Sequence, residues 1–217
     1  MTITITGPNA VSYWNEVAAT TINLPASATG TAEEQRPNTA SDLATVQVAV
    51  YDAVMAIAGT HRPYAITPTA PTAGASQEAA VGAAAYRVLL GLFPSRSASY
   101  QSAYDTFVAS LPDNAARALG LAVGAEVASG ILALRANDGR SVVLAPYVAG
   151  SAPGQFRGVN PVGRPNPSIK PFALTTLAQF RAPGPPALNS AMSIPLNESL
   201  VSSWTVMVSP RNFSVLP

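Results

Sequence analysis

The stretch from Ser41 to Gly59, SDLATVQVAVYDAVMAIAG, constrains this chain more than any other. Leu43, Val46, Val50, Val54 and Ile57 recur at offsets of three and four, the repeat of one helix face. Ala44, Ala49, Ala53 and Ala56 keep the remaining faces thin, so neighbouring helices can approach closely. Asp42 stands at the entrance, where a carboxylate meets the positive end of the helix dipole, and Gly59 marks the exit. Asp52 interrupts the apolar pattern. A carboxylate there must lie at a rim, accept hydrogen bonds, or pair with a cation such as Arg36 or Arg87. The segment predicts the hub of a helical domain, and nothing within it suggests chemistry.

The same reasoning extends to four more segments and predicts an all-α bundle of about five helices, near 9–22, 41–58, 76–93, 97–111 and 113–137. Ser76 is placed to cap the third, whose stripe is Val81, Val88, Leu89 and Leu92. Ser97 and Asp113 are the expected caps of the fourth and fifth, and Asn137-Asp138-Gly139 is the stop signal of the last. Pro63, Pro68 and Pro71 forbid a regular helix between the second and third segments. Gly120, Gly124 and Ala128, four apart, predict a groove for a close helix crossing inside the bundle rather than a membrane dimer motif.

From Arg140 onward the helical period disappears, and nine of the twenty prolines fall between Pro146 and Pro186. Tyr147, Phe156, Ile169, Phe172, Leu174 and Phe180 make this stretch too apolar for a flexible linker. It reads as an extended Pro-rich arm laid on the bundle or on a partner. The expected organisation is therefore a helical bundle over 1–139, the arm over 140–190, and a divergent tail over 191–217.

Charged residues make up only 11% of the chain, against roughly 25% in ordinary soluble proteins. The net charge of +1 and the lack of a basic cluster argue against nucleic acid and anionic membranes as partners. The most apolar stretch, 118–134, carries Glu126 and falls short of the roughly 20 residues a membrane crossing needs. MTITITGPNA has neither a basic segment nor an apolar core, so no signal peptide is read here, and the compartment stays open, export included. With no cysteine, disulfides, thiol catalysis and cysteine-based metal sites are excluded.

His61, the single imidazole, sits in a Thr-His-Arg-Pro turn past a helix end, where a solvated or dipole-facing histidine is expected. Glu16, Asp52, Glu78, Asp105 and Glu126 fall one per helix, but a two-metal bundle site also needs Glu-x-x-His pairs. Asp52, Arg87, Glu126 and His61 are accordingly read as structural polar positions, with Asp52 and Glu126 at a rim or paired with arginine. No catalytic, metal or cofactor residue is assigned.

The order of motifs points further. Val11-Ser-Tyr-Trp-Asn15, Val48-Ala-Val-Tyr-Asp-Ala-Val54, an Ala79–Leu92 helix running into Leu-Phe-Pro, and Leu132-Ala-Leu-Arg-Ala-Asn-Asp-Gly139 are followed by Pro153-Gly-Gln-Phe-Arg157, Lys170-Pro-Phe-Ala-Leu174 and Gln179-Phe-Arg-Ala-Pro-Gly-Pro-Pro-Ala-Leu188. Together they resemble the N-terminal half of bacterial vanadium-dependent haloperoxidase-like proteins, within the type-2 phosphatidic acid phosphatase superfamily. The resemblance implies an all-helical half that packs on a second helical half, which in the family carries vanadate or phosphate. The family's oxyanion site uses a Lys and an Arg ahead of a Pro-Ser-Gly-His segment, then an Arg and a His. None of these segments occurs here, and Lys170 and Arg181 have the wrong spacing. The tail from Ser199 to Pro217 loses the family pattern and reads as a premature end or a shifted frame.

Three functions stand at this point. The leading expectation is a catalytically incomplete scaffold or oligomerisation part of a haloperoxidase- or phosphatase-like protein, without cofactor in this chain and partnered by its own copies or a catalytic half. A second is an intact small enzyme acting through His61 and Asp52. A third is a free-standing binding module whose Pro-rich arm recognises another protein.

Overall fold

The computed structural model describes residues 9–23, 38–140, 142–152, 155–159, 161 and 163–184. Among them are five α-helices: α1 (Ala10–Ile22), α2 (Thr39–Ala58), α3 (Gln77–Leu92), α4 (Ser97–Ala109) and α5 (Ala115–Arg135). No strand occurs among the described residues. Each helix end falls within two residues of its expected position. Arg36 and the 191–217 tail lie outside the described residues.

The caps explain the boundaries. Asn38 opens α2, its side chain accepting the Ser41 N–H at 3.1 Å while Asp42 accepts the Asn38 N–H at 3.0 Å, a reciprocal cap one residue longer than the usual box. Gly59 closes α2 in the left-handed conformation at φ 63°, as its position predicts. Ser76 caps α3 through the Ala79 N–H. Two caps differ from expectation. Ser97 makes no side-chain cap, because a 3-10 turn at Pro94–Arg96 feeds the chain directly into α4. Asn114 rather than Asp113 caps α5, and Asp113 instead pairs with Arg117 one turn on.

The hub is α3, not α2. Helix α3 packs against each of the other four helices, whereas α2 packs on α1, α3 and α5. A segment surrounded on all sides needs small residues on all sides, and Ala79–Ala85 is buried without interruption, whereas Arg87 and Gly91 farther along α3 are exposed. The α3–α5 crossing is the closest. A Cβ on Gly120 would lie 2.2 Å from the Ser76 carbonyl oxygen, and one on Gly124 would lie 2.3 Å from that of Ala80. Both glycines therefore act as the sequence predicts, inside the bundle. On the opposite side of α3, Gly82 admits the Phe107 ring of α4, against which Trp14 of α1 packs edge-on at 5.7 Å.

Helices α2 and α5, of 20 and 21 residues, are long and apolar enough to cross a membrane by length and composition. Their buried stripes nonetheless face the shared core, through Val46, Ala49, Val50 and Ala53 on α2 and Val123, Val127, Ala128 and Ile131 on α5.

Contacts divide the chain into two compact units. Among the described residues, the bundle takes in 163–172, while those within 145–161 and 173–184 belong to the second. Within the second unit, Tyr147 packs edge-on against Phe156 at 5.8 Å and its hydroxyl donates to the Phe156 carbonyl at 2.9 Å.

Candidate functional site

Asp52 is fully buried, one turn and a half before the end of α2. Its carboxylate accepts backbone N–H groups from Tyr64, from Ala65 at 3.0 Å and from Ile66 at 2.8 Å. Glu126 does the same from α5. It accepts the Thr69 N–H at 2.7 Å, the Thr69 hydroxyl at 2.9 Å and the Ala70 N–H at 2.9 Å. Those backbone hydrogen bonds hold the Glu126 carboxyl below its ordinary range. Both acids thus fasten the proline-rich connection 60–75 to the bundle, using donors that proline geometry leaves without a helix or sheet partner.

Among the described residues neither acid is arginine-paired. Arg87 is exposed, and no ion pair among the described residues reaches Asp52 or Glu126. Of the expected alternatives for Asp52, hydrogen bonding is the one realised, by backbone amides at a buried position and not at a rim. His61 is exposed, with Nδ1 3.1 Å from the Thr60 hydroxyl. Among the described residues no hydrogen bond or ion pair joins any two of Asp52, Arg87, Glu126 and His61. No three His, Asp or Glu side chains among them converge as a metal site would require.

The polar concentration lies elsewhere, at the end of α5. Arg135 closes the helix, and a guanidinium is favoured beside the last carbonyls. Arg135 Nη2 lies 2.6 Å from Asp138 Oδ2, both side chains 4% exposed. Gly139 then turns at φ 86°, where a Cβ would collide with the Ser168 carbonyl oxygen. Beyond it, Arg140 donates its backbone N–H to Asp138 Oδ1 at 2.9 Å and its Nε to Asp42 at the start of α2. Burial pushes the Asp42 carboxyl above its ordinary range, opposed by the Arg140 guanidinium.

Residues 163–172 run along this cluster. Asn38 Nδ2 donates to Asn166 at 2.7 Å, the Lys170 N–H to the Asp138 carbonyl at 2.6 Å, and the Tyr64 hydroxyl to the Phe172 carbonyl at 2.7 Å. Phe172 lies under Arg135, 3.8 Å from guanidinium carbon to ring centre. Beside the cluster is a cavity of about 270 Å³. Arg135, Asp138, Arg140 and Thr45 form its polar lining, and Gly91, Leu92, Leu132 and Ala136 its apolar walls.

The sequence marks Asn137-Asp138-Gly139 as a helix stop, but nothing in it foresees the pairing of Arg140 with Asp42, 98 positions away. The available signal was density. In a chain so poor in charge, three ionisable residues within Arg135–Arg140 stand out.

Compared with protein-family models, characterised proteins and solved structures, the chain matches none.

Proposed function

We propose that this chain is a structural, catalytically incomplete helical portion of a vanadium haloperoxidase- or acid-phosphatase-like protein, serving as a scaffold or oligomerisation part. The observation that carries the reading is the use made of the buried carboxylates. Asp42, Asp52 and Asp138 each hold backbone N–H groups or an arginine. A catalytic carboxylate is ordinarily aimed at a substrate position with part of its hydrogen-bonding capacity unfilled; these hold the bundle's own connections. The family's Lys, Arg, Ser-Gly-His and His segments have no counterpart in this sequence.

The test is direct. Purified chain is dialysed against orthovanadate at physiological salt, then assayed with bromide and peroxide, while sedimentation velocity follows its self-association. The expected result is no saturable vanadate binding, no halide oxidation, and assembly that grows with concentration. Turnover abolished by His61→Ala would overturn the reading in favour of an intact enzyme.

One observation favours a second reading, a protein-binding module. Val148, Val159 and Phe180 in the second unit are 85, 83 and 79% exposed, and large apolar side chains so exposed suit a partner. Replacing all three with serine would leave the melting temperature of the bundle unchanged. The same replacement would abolish partner capture if the module reading holds, and leave it intact if it does not.

A further inference from the structure

Residues 163–172 lie on the bundle as a docked piece of chain. The described residues on either side of them, within 145–161 and 173–184, belong to the second unit. The piece holds its own shape. The Asn166 N–H donates to the Gly163 carbonyl at 2.9 Å, the Ser168 N–H to that of Pro165 at 2.8 Å, and the Ile169 N–H to that of Asn166 at 3.1 Å. Its seat consists of bundle residues that have partners of their own. Asn38 caps α2, Arg135 ends α5 against Asp138, and Tyr64 lies on the connection that Asp52 fastens. Gly139, at φ 86°, leaves room for the Ser168 carbonyl.

The attachment is peripheral. None of residues 163–172 is buried, although Phe172 rests on the Arg135 guanidinium and its carbonyl accepts the Tyr64 hydroxyl. A segment with no buried residue opens before the helices unfold. Once open, a strap and a seat that are both already ordered meet again at little ordering cost, in the same chain or in another. A second copy carries the same strap and the same seat, so every contact made within one chain has its equal between two. In a reciprocal dimer the second strap seats intramolecularly, which favours the pair over a single docking. A net charge of +1 sets little repulsion against the approach. We infer that 163–172 is an exchangeable strap that seats on the α5 end of a second copy and builds a reciprocal dimer, which rests on the oligomerisation reading above and names its contact.

The chain has no cysteine, so Lys170→Cys, at an exposed position of the strap, carries a nitroxide at one place and keeps the backbone N–H that meets Asp138. This chain and isotope-labelled wild-type chain are unfolded together in urea, refolded, and followed by NMR over a range of concentration. The isotope-labelled chain is expected to lose its Asp138 and Gly139 amide signals to paramagnetic broadening, more completely as concentration rises. Phe172→Ala on the nitroxide-bearing chain removes the aromatic anchor and should weaken the exchange by about tenfold. A nitroxide on Ser102→Cys of α4, also exposed, is expected to leave both amides sharp. The inference falls if the two amides stay sharp with the strap nitroxide, if the α4 nitroxide broadens them equally, or if Phe172→Ala changes nothing. Sharp amides in a sample that still self-associates on sedimentation would overturn strap exchange and leave the oligomerisation reading standing. Halide turnover in a sample with broadened amides would support strap exchange and overturn the catalytically incomplete reading.

Discussion

Asp52 on α2 and Glu126 on α5 grip the same connection from two sides, Asp52 at residues 64–66 and Glu126 at residues 69 and 70. Each turns a polar side chain on an apolar helix into an acceptor for a segment that cannot satisfy its own backbone. The connection between α2 and α3 is in this way part of the folded unit, and Ile66 from it packs over Gly130 of α5.

Removing the buried grip has a defined cost. Asp52→Ala leaves three backbone N–H groups without their acceptor and should destabilise the bundle by about 2–4 kcal/mol in urea unfolding. Asp52→Asn, which keeps one acceptor oxygen, should cost less. Arg87→Ala, at an exposed position with no ion pair to Asp52, should stay within about 0.5 kcal/mol of the wild type. Equal losses for Arg87→Ala and Asp52→Ala would restore the ion-pair reading of Asp52.

The contrast between α2 and α3 shows what was legible in the sequence. Helix existence follows from local periodicity, punctuation and caps, so the five helices and the Gly59 exit could be read directly. The identity of the hub could not. Amphipathic periodicity marks one buried face on a helix and gives no sign that α3 is buried all round over Ala79–Ala85, where the signal is the run of small residues. Long-range polar pairing was equally hidden. Nothing local to Asp42 indicates Arg140, and nothing local to Glu126 indicates Thr69, because both contacts depend on how the helices cross. Gly120 and Gly124 are the exception, since a spacing of four on one helix already describes a groove.

Glu126 makes the stability of the connection depend on pH. Its folded-state pKa lies below the unfolded one, so the unfolded chain takes the proton more readily. The contribution is therefore full above the ordinary glutamate value of about 4.3 and is lost as pH falls through the lowered folded value. The protection factors of the Thr69 and Ala70 amides, taken against the intrinsic exchange rate at each pH, should be high at pH 7 and fall on acidification past that range. In Glu126→Gln the protection at neutral pH should drop and its acid dependence flatten. Unchanged protection in the variant would show that the loop is held by other contacts.

Close crossing and helix propensity predict opposite outcomes at two glycines of α5. In Gly124→Ala the new methyl meets the Ala80 backbone oxygen, which cannot swing aside, so α3 and α5 must separate. The expected loss is about 1–3 kcal/mol. In Gly130→Ala the methyl meets the flexible end of Ile66. The strain there is small and is offset by the roughly 1 kcal/mol gain in helix propensity, leaving the variant near wild type. Thermal melts of the two variants side by side test the packing of the core. Equal stability would mean that the helices approach less closely at Gly124.

The pair of Asp42 and Arg140 connects the start of α2 to the chain leaving α5, and both side chains are at most 5% exposed. Such a pair adds little net stability, because desolvation opposes the attraction, yet breaking it strands a buried charge. Arg140→Met should therefore cost about 3–5 kcal/mol at neutral pH, and Asp42→Asn with Arg140→Met together should cost less than Arg140→Met alone. The pH dependence supplies a second check. Burial already raises the Asp42 carboxyl, and removing Arg140 takes away the main influence that lowers it. A folded-state pKa above the unfolded one means that the folded chain keeps the proton as pH rises, so the destabilisation grows from the ordinary aspartate value upward and fades below it. The deficit of Arg140→Met should thus shrink as pH falls toward about 4, while that of the double variant stays level. Additive single-variant losses with no pH dependence would show that Asp42 and Arg140 do not interact in solution.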